Sequence, residues 1–557
     1  RQSLRSLMDN IRLILIFALM FVLLLLWQAW QRDYGPAQSM PREVATAPPI
    51  EAPGVGAGDV PAPEMDTSEP AQTISERIAD EEGPEPVVVR TDVLELQIDP
   101  RGGTITRTAL IHYPTSSENR EPYPLLGQGS GLFYVAQSGL IGSEESLAPN
   151  HKALYQVKRR QYELADGQDR LVVPLTWTHP SGIRVVKRFE LTRGSYLIRV
   201  SHEVTNDSRQ SWVARDYHQL QRTEPGSDAE TRFIHTFTGG AYYTPQDKYR
   251  KIPFDEFAAD GPDMDVTGGW ISFIQHYFLS AWVPPAEAVE HLSTKALPNG
   301  RFLIRMYGPG TRVEPGGSEE LTARLWVGPK LQYRLAEVAP GLDLTVDYGW
   351  LTVIAQPLFW LLDKLHALVG NWGWAIILLT ILIKLAFFKL SETSYKSMAN
   401  MRRMGPKLQQ LKERYADDKQ RLNQAMMEMY KKEKINPLGG CLPIVVQIPV
   451  FIALYWVLLE SVELRDAPFI LWINSLSVKD PYFILPVIMG ISMFVQQKLN
   501  PAPPDPMQAK IMMSLPFVFT VFFAFFPAGL VLYWVVNNLL SIAQQWYITR
   551  KIEQKAR

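Results

Sequence analysis

From Asn371 to the C-terminus the chain is built largely of long apolar runs nearly free of charge, and no water-soluble fold accommodates so many in succession. A bilayer core is crossed by roughly 20 helical residues. Residues 371–390, 441–460 and 482–498 each read as one span. The run from Ile511 to Tyr547 is too long for a single crossing, and Phe526-Pro527-Ala528-Gly529 cuts it into spans at 511–526 and 529–548. Charge supports the cut. Lys498, Lys510, Arg550 and Lys551 flank the pair, and basic residues accumulate on the cytoplasmic side of a membrane. Two crossings return the chain to that side; one does not.

At the other end, Arg1, Arg5 and Arg12 accompany an apolar run from Leu13 to Trp27. A signal peptide begins similarly. This run, however, leads into Trp27-Gln28-Ala29-Trp30, tryptophans suited to a membrane interface rather than a small-x-small cleavage site. Residues 1–31 are expected to hold a cytoplasmic N-terminus and an uncleaved anchor, with Met8-Asp9-Asn10 a natural start and residues 1–7 an upstream extension. The anchor brings the expected total to six transmembrane helices with both termini cytoplasmic.

Between anchor and spans the character changes twice. Residues 32–86 are rich in Pro, Ala, Gly and acid, as in Ala47-Pro48-Pro49 and Asp80-Glu81-Glu82, with no apolar periodicity. Such a segment buries too little surface to offset its ordering entropy, so a flexible exported linker is predicted. From 87 to 346, short alternating runs are separated by turn signals. Val93–Ile98 is followed by Asp99-Pro100-Arg101-Gly102-Gly103, and Arg184–Leu191 and Tyr196–Val204 flank Thr192-Arg193-Gly194. Many short strands at this spacing predict an all-β sandwich, its core supplied by aromatics, Ile and Val. The single cysteine, Cys441, excludes an intrachain disulfide and a cysteine-based zinc or redox centre. The fold class is an α+β membrane protein with an exported β domain.

Two helical segments are not spans. Residues 347–370 are too polar to cross. Thr352, Gln356, Asp363 and His366 recur opposite Leu351, Ile354, Leu358, Leu361, Leu365 and Leu368, which predicts an amphipathic helix lying in the interface, with a kink at Pro357. Residues 391–440 are the most basic stretch and read as a cytoplasmic hairpin of two amphipathic helices, broken at Tyr415-Ala416-Asp417-Asp418. Arg402, Arg403, Lys407 and Arg414 form either a docking surface for a partner or a solvated face beside anionic lipid. A periplasmic loop at 461–481, a cytoplasmic loop at 499–510 and a tail at 549–557 complete the division.

The most informative single residue is Lys384, inside an apolar run and about 7–8 Å deeper than Lys389 at 1.5 Å per helical residue. A charge at that depth costs about 2.5–3.5 kcal/mol on insertion scales and marks a functional position by default; the plainer reading is snorkelling toward the headgroups. Thr380 lies one turn before it. Gln447 precedes Pro449 in the next span, and Tyr533, Trp534, Asn537, Asn538, Ser541 and Gln544 come from the last. Amides and hydroxyls that share a wet cavity would solvate the cation and leave it able to attract an acidic group, although such groups also serve as ordinary interhelical hydrogen bonds. No phosphate-binding glycine loop, HExxH or GxSxG motif occurs, so no enzyme, cofactor or metal is expected. A secondary transporter, or a tethered carbohydrate-active enzyme using His202, Glu203 and His218, stays open on these residues alone.

Several motifs together narrow the choice. Met8-Asp9-Asn10-Ile11-Arg12, Asn436-Pro437-Leu438-Gly439-Gly440-Cys441, Gln447-Ile448-Pro449, Ser461–Phe469, Asp480-Pro481-Tyr482 and Phe526-Pro527-Ala528-Gly529-Leu530-Val531-Leu532-Tyr533-Trp534 resemble the YidC family of membrane protein insertases, in the proteobacterial form with a large periplasmic domain. The resemblance covers the whole chain. It implies a five-helix core with an extra N-terminal anchor, enclosing a hydrophilic groove open to cytoplasm and lipid. It implies a periplasmic domain similar to a galactose-mutarotase-like supersandwich without enzymatic activity. Lys384 stands where the family usually has arginine, which keeps the charge but loses the bidentate fork. Trp534 stands where tyrosine is usual, beside a retained Tyr533. The implied function is insertion and folding of bacterial inner-membrane proteins, alone or with the Sec translocon. Nascent membrane proteins, the ribosome and the phospholipid bilayer are the implied partners, with no nucleic acid bound directly.

Overall fold

The computed structural model describes residues 84–115, 120–129, 131–142, 147–226, 236–257, 261–297, 300–415, 418–432, 442–500 and 506–555. The expected anchor, nearly all of the linker and the 436–441 motif lie outside them, as do the side chains of Arg402 and Arg403. All described residues fall in one compact unit.

Alternation builds the predicted sandwich. Along Ile183–Thr192 every second side chain is buried, with Arg184, Arg188 and Thr192 facing out. This strand pairs antiparallel with Leu197–Asn206, Leu191 opposite Ile198, across the predicted turn. Gly194 in that turn has φ +67°, a conformation glycine adopts without strain, and its N–H donates to the Asp92 carboxylate at 2.9 and 3.1 Å. Repeated along the chain, such pairings give an 11-stranded sheet from Asp263–Thr267 to Gln161–Glu163 and a 9-stranded sheet from Lys248–Ile252 to Gln156–Val157. Between them lie Phe189, Trp270, Phe273 and Trp282, all fully buried.

The interior is less apolar than the strand pattern predicts. Lys187 takes an inward position on its strand, and its Nζ donates to Gly102 O and Ser138 O, both at 2.8 Å. Burial pushes this lysine down to about 7. Two carbonyl acceptors satisfy the group without an acid beside it.

A short helix, α1 (Gln332–Val338), leads out of the sandwich to α2 (Thr352–Val369), α3 (Trp372–Ala386), α4 (Phe388–Arg403), α5 (Gly405–Arg414) and α6 (Lys419–Lys432). Then come α7 (Leu442–Glu460), α8 (Ile484–Leu499), α9 (Pro506–Phe523) and α10 (Ala528–Lys555). Among the described residues no single helix is long and apolar enough to cross a membrane alone; α3 with Phe388–Met398 is long enough as a pair, bent by 67°. Shorter apolar helices occupy Val446–Glu460, Ile484–Leu499 and Ala509–Phe523. Ile376, Leu379, Leu454, Val457, Met489 and Val531 form the shared core of this region.

Three details depart from the sequence reading. The continuous helix expected over 371–390 breaks at Phe387, whose N–H reaches both Ile383 O and Leu385 O and tightens the turn. The basic hairpin has an additional break at Met404, because Gly405-Pro406 starts a new helix with proline in its first turn. On α2 the fully buried stripe is Ala355, Phe359 and Leu362, while Ile354, Leu358, Leu361 and Leu365 are only partly covered and Val353, Trp360 and Leu368 face outward. The tight turn between α9 and α10 is held from outside. Ala528 N–H donates to Val478 O at 2.7 Å and Gly529 N–H to Leu476 O at 2.9 Å, both in the 461–481 loop.

Candidate functional site

α3, α4, α7, α8 and α10 surround a cavity of about 320 Å³, open on one side. α4, α7, α8 and α10 each contribute residues three and four apart, the spacing that places side chains on one face, and α3 contributes Lys384 alone. Lys384 comes from α3; Ser391, Ser394, Tyr395 and Met398 from α4; Gln447, Ile448 and Phe451 from α7. Met493, Gln496, Gln497 and Asn500 close the α8 side, and Tyr533, Trp534, Asn537, Asn538 and Ser541 the α10 side. Among these lining residues there is no aspartate or glutamate.

Hydrogen bonds join the polar groups into a chain. Lys384 Nζ donates to Ser541 Oγ at 2.8 Å, and Ser541 Oγ donates to Asn537 O one turn earlier at 2.7 Å. Asn537 Oδ1 accepts from Gln447 Nε2 at 2.8 Å, which ties α7 to α10. Behind them Asn538 Nδ2 donates to Ser492 Oγ at 3.1 Å. The Lys384 ammonium has three donors, and among the described residues no carboxylate forms an ion pair with it. Its charge is therefore solvated by neutral groups and remains available to an anion entering the cavity.

Two turns before Ser541 on α10 the lining is aromatic. Phe451 stacks on Tyr533 with ring centres 5.9 Å apart and meets Trp534 at 4.6 Å. Trp534 Nε1 is buried without a hydrogen-bond partner. A cation and an aromatic lining in one cavity suit a ligand that is itself amphipathic.

The structure brings together Lys384, Gln447, Tyr533, Trp534, Asn537, Asn538 and Ser541, seven of the residues singled out from sequence. Thr380 stands apart: its hydroxyl donates to Ile376 O at 2.7 Å, and the residue is buried outside the cavity lining. Lys407 and Arg414 are exposed on the hairpin, away from the cavity. Sequence reasoning missed the α4 face, because Lys389 and Lys396 made that stretch read as cytoplasmic hairpin. It also missed Gln496, Gln497 and Asn500. The signal was present in both cases, as three polar residues and one methionine at i, i+3, i+4 and i+7 running beyond the end of an apolar run: Ser391, Ser394, Tyr395 and Met398, and Met493, Gln496, Gln497 and Asn500.

Comparison with known proteins gives a consistent result. Residues 86–361 match the family model described as the YidC periplasmic domain, and residues 364–555 the 60Kd inner membrane protein model. The chain is 55% identical to the membrane protein insertase YidC of Thioalkalivibrio sulfidiphilus, covering 98% of this chain and 99% of that one. It is 54% identical to the protein of the same name from Methylococcus capsulatus, again over 98% and 99%. A crystal structure of an active YidC insertase overlaps 84% of this chain and 93% of its own at 17% identity and a TM-score of 0.39. A galactose mutarotase related enzyme from Lactobacillus acidophilus overlaps 43% of this chain and 97% of its own at 10% identity and a TM-score of 0.29.

Proposed function

The chain belongs to the YidC family of membrane protein insertases, and from that premise we propose that it inserts inner-membrane proteins through the Lys384 cavity, used as a groove for the incoming segment. Insertion is not an enzymatic reaction. The observation that carries the reading is the cation held by neutral groups in a cavity that also has an aromatic lining. A substrate's short acidic N-terminal tail enters the groove and is held transiently by Lys384. Its apolar segment lies meanwhile along α7 and α9. The polar cavity shortens the hydrophobic distance that the tail must cross. Burial of the substrate helix in lipid, at roughly 25 cal/mol per Å² of apolar surface, then drives the tail through without ATP.

In this reading the chain is a multi-pass protein of the bacterial inner membrane with six spans. The sandwich is periplasmic and both termini are cytoplasmic. The outward Val353, Trp360 and Leu368 of α2, and Phe517, Val518 and Val521 of α9, are exposed apolar side chains that a lipid environment would cover. Arg402, Arg403, Lys407 and Arg414 belong to a cytoplasmic hairpin that meets the ribosome or the nascent chain, and the Sec translocon is a partner for some substrates. The full chain reconstituted alone into liposomes tests the core of this reading. Single-span substrates should become protease-protected with the tail inside the vesicle; no protection above empty liposomes would refute it.

A further inference from the structure

Beyond the cavity, at the start of α10, lie a dry layer and a loop. Gly529, whose N–H the 461–483 loop receives, is one turn from Tyr533 in the cavity wall, about 6 Å along α10 at 1.5 Å per residue. Ile473 and Leu476 of the loop are buried in the same apolar core as Ile376, Leu379 and Val531. The loop is tied to the starts of three helices. At α10 its carbonyls accept from Ala528 and Gly529. At α3, Asn371 Nδ2 donates to Pro468 O at 3.1 Å while Asn371 Oδ1 accepts from Trp374 N–H at 3.2 Å. Phe469 packs there so closely that a Cβ on Gly373 would collide with its ring. At α8 the buried Asp480 carboxylate takes three donors. Its Oδ1 accepts from Trp472 Nε1 and Tyr482 N–H, both at 3.0 Å, and its Oδ2 from Leu485 N–H at 2.7 Å.

The same loop concentrates backbone strain. Among the described residues four other than glycine take positive φ: Lys248 in the sandwich, and Asp466, Leu471 and Phe483 here, at 57°, 57° and 56°. A residue with a Cβ is strained in that region. Such strain persists only where surrounding contacts enforce it, as at clamps and switches. Asp466 and Phe483 bracket the segment. Leu471, 81% exposed, is the tip of a small hairpin in which Phe469 N–H donates to Ile473 O and Leu476 N–H to Ala467 O. The ties that oppose the strain are largely helix N–H groups bonded to loop oxygens, and water or a passing chain can replace those oxygens at little net cost. Because α3, α8 and α10 all begin here, the freed groups would turn the positive ends of three helix dipoles toward an acidic tail.

We infer that residues 466–483 are the exit gate of the groove, hinged at Asp466 and Phe483 and latched by Asp480. Closed, the segment covers the dry end of the cavity. Lifted, it lets the substrate's tail leave past the starts of α3, α8 and α10. Asp480 acts through the loop and is a positioning residue for insertion. The inference rests on the groove reading above and concerns the step after the tail has met Lys384.

The test locks the gate reversibly in the full chain. A Cβ on Gly373 meets Phe469 Cγ, one bond from Phe469 Cβ, so cysteines at the two positions bring their Cβ atoms within about 4 Å, the reach of a disulfide. Gly373→Cys with Phe469→Cys, in a Cys441→Ser background, is reconstituted into proteoliposomes and given a cysteine-free single-span substrate. Oxidised, the pair should insert no more than empty liposomes do, while a photocross-linker in place of Tyr533 still captures the stalled tail. Reduction in the same vesicles should restore insertion. Asp480→Ala is the second variant. It should speed amide exchange at Tyr482 and Leu485 by roughly 10-fold, as loss of a helix cap does, and slow formation of the 373–469 disulfide. Asp480→Asn, which keeps one acceptor oxygen, should recover part of both. Full insertion by the oxidised pair would overturn the gate, and so would loss of the tail cross-link together with insertion. Unchanged exchange in Asp480→Ala would overturn the latch. Failure of the groove reading registers separately, as no tail cross-link from the Tyr533 position in the reduced pair.

Discussion

Replacing Lys384 by alanine removes the cavity's cation and leaves Ser541 and Asn537 to solvate nothing. The cost depends on what the cation does for the substrate. A carboxylate about 4 Å from an ammonium gains about 1 kcal/mol in bulk water and about 4 kcal/mol at an effective dielectric of about 20. The cavity is open on one side yet walled by helices, so the value lies between these limits. That converts to a loss of roughly 5- to 1000-fold in transient occupancy by an acidic tail. The assay is insertion into proteoliposomes of two single-span substrates that differ only in carrying an acidic or a neutral tail. Lys384→Ala should depress the acidic substrate within that range and leave the neutral one within about twofold. Lys384→Arg keeps the charge and should retain most activity, while Lys384→Glu should be worse than alanine for the acidic tail. Raising ionic strength to 0.1 M should change the difference between the two substrates only slightly, because a pair about 4 Å apart in a walled cavity lies well inside the screening length of about 10 Å. Equal losses for both tails, or none for the acidic one, would refute the electrostatic role.

Two further outcomes follow from the packing. Glu290 is 2% exposed, and burial, reinforced by nearby Asp216, pushes its carboxyl up to about 9 from 4.5. The folded chain thus keeps a proton that the unfolded chain releases, so sandwich stability falls as pH rises through that window; Glu290→Gln should flatten the fall and raise the melting temperature at pH 8 more than at pH 5. A Cβ on Gly490 would lie 2.0 Å from Thr520 Oγ1, so α8 and α9 meet where only glycine fits. Gly490→Val should cost about 1–3 kcal/mol or more through overpacking, read as lower thermal stability in detergent, with Thr520→Ala restoring part of it.

The sandwich was legible because burial at every second position is written directly in the strands, as in Ile183–Thr192. Lys384 was legible for the opposite reason: one charge in an apolar run breaks the pattern. The α10 face was legible too, since Tyr533, Asn537 and Ser541 recur at four-residue spacing. What stayed hidden depends on contacts between distant residues. His276 and Leu459 are 183 positions apart, and nothing local to Lys330 or Glu460 announces that they will meet. The break at Phe387 was hidden because neither Gly nor Pro marks it. Nothing in the sequence marks Lys187 as buried, and only the two carbonyls that receive it explain its inward position.

The central claim, that the cavity is the path of the incoming segment, is tested most directly by photocross-linking from Lys384, Tyr533 and Trp534 to a stalled nascent membrane protein. The account predicts adducts from all three positions with the substrate's tail and first apolar segment. Outward-facing Leu368 of α2, on neither α7 nor α9, should give weaker or later adducts. Adducts from Leu368 alone, with none from the cavity positions, would contradict it.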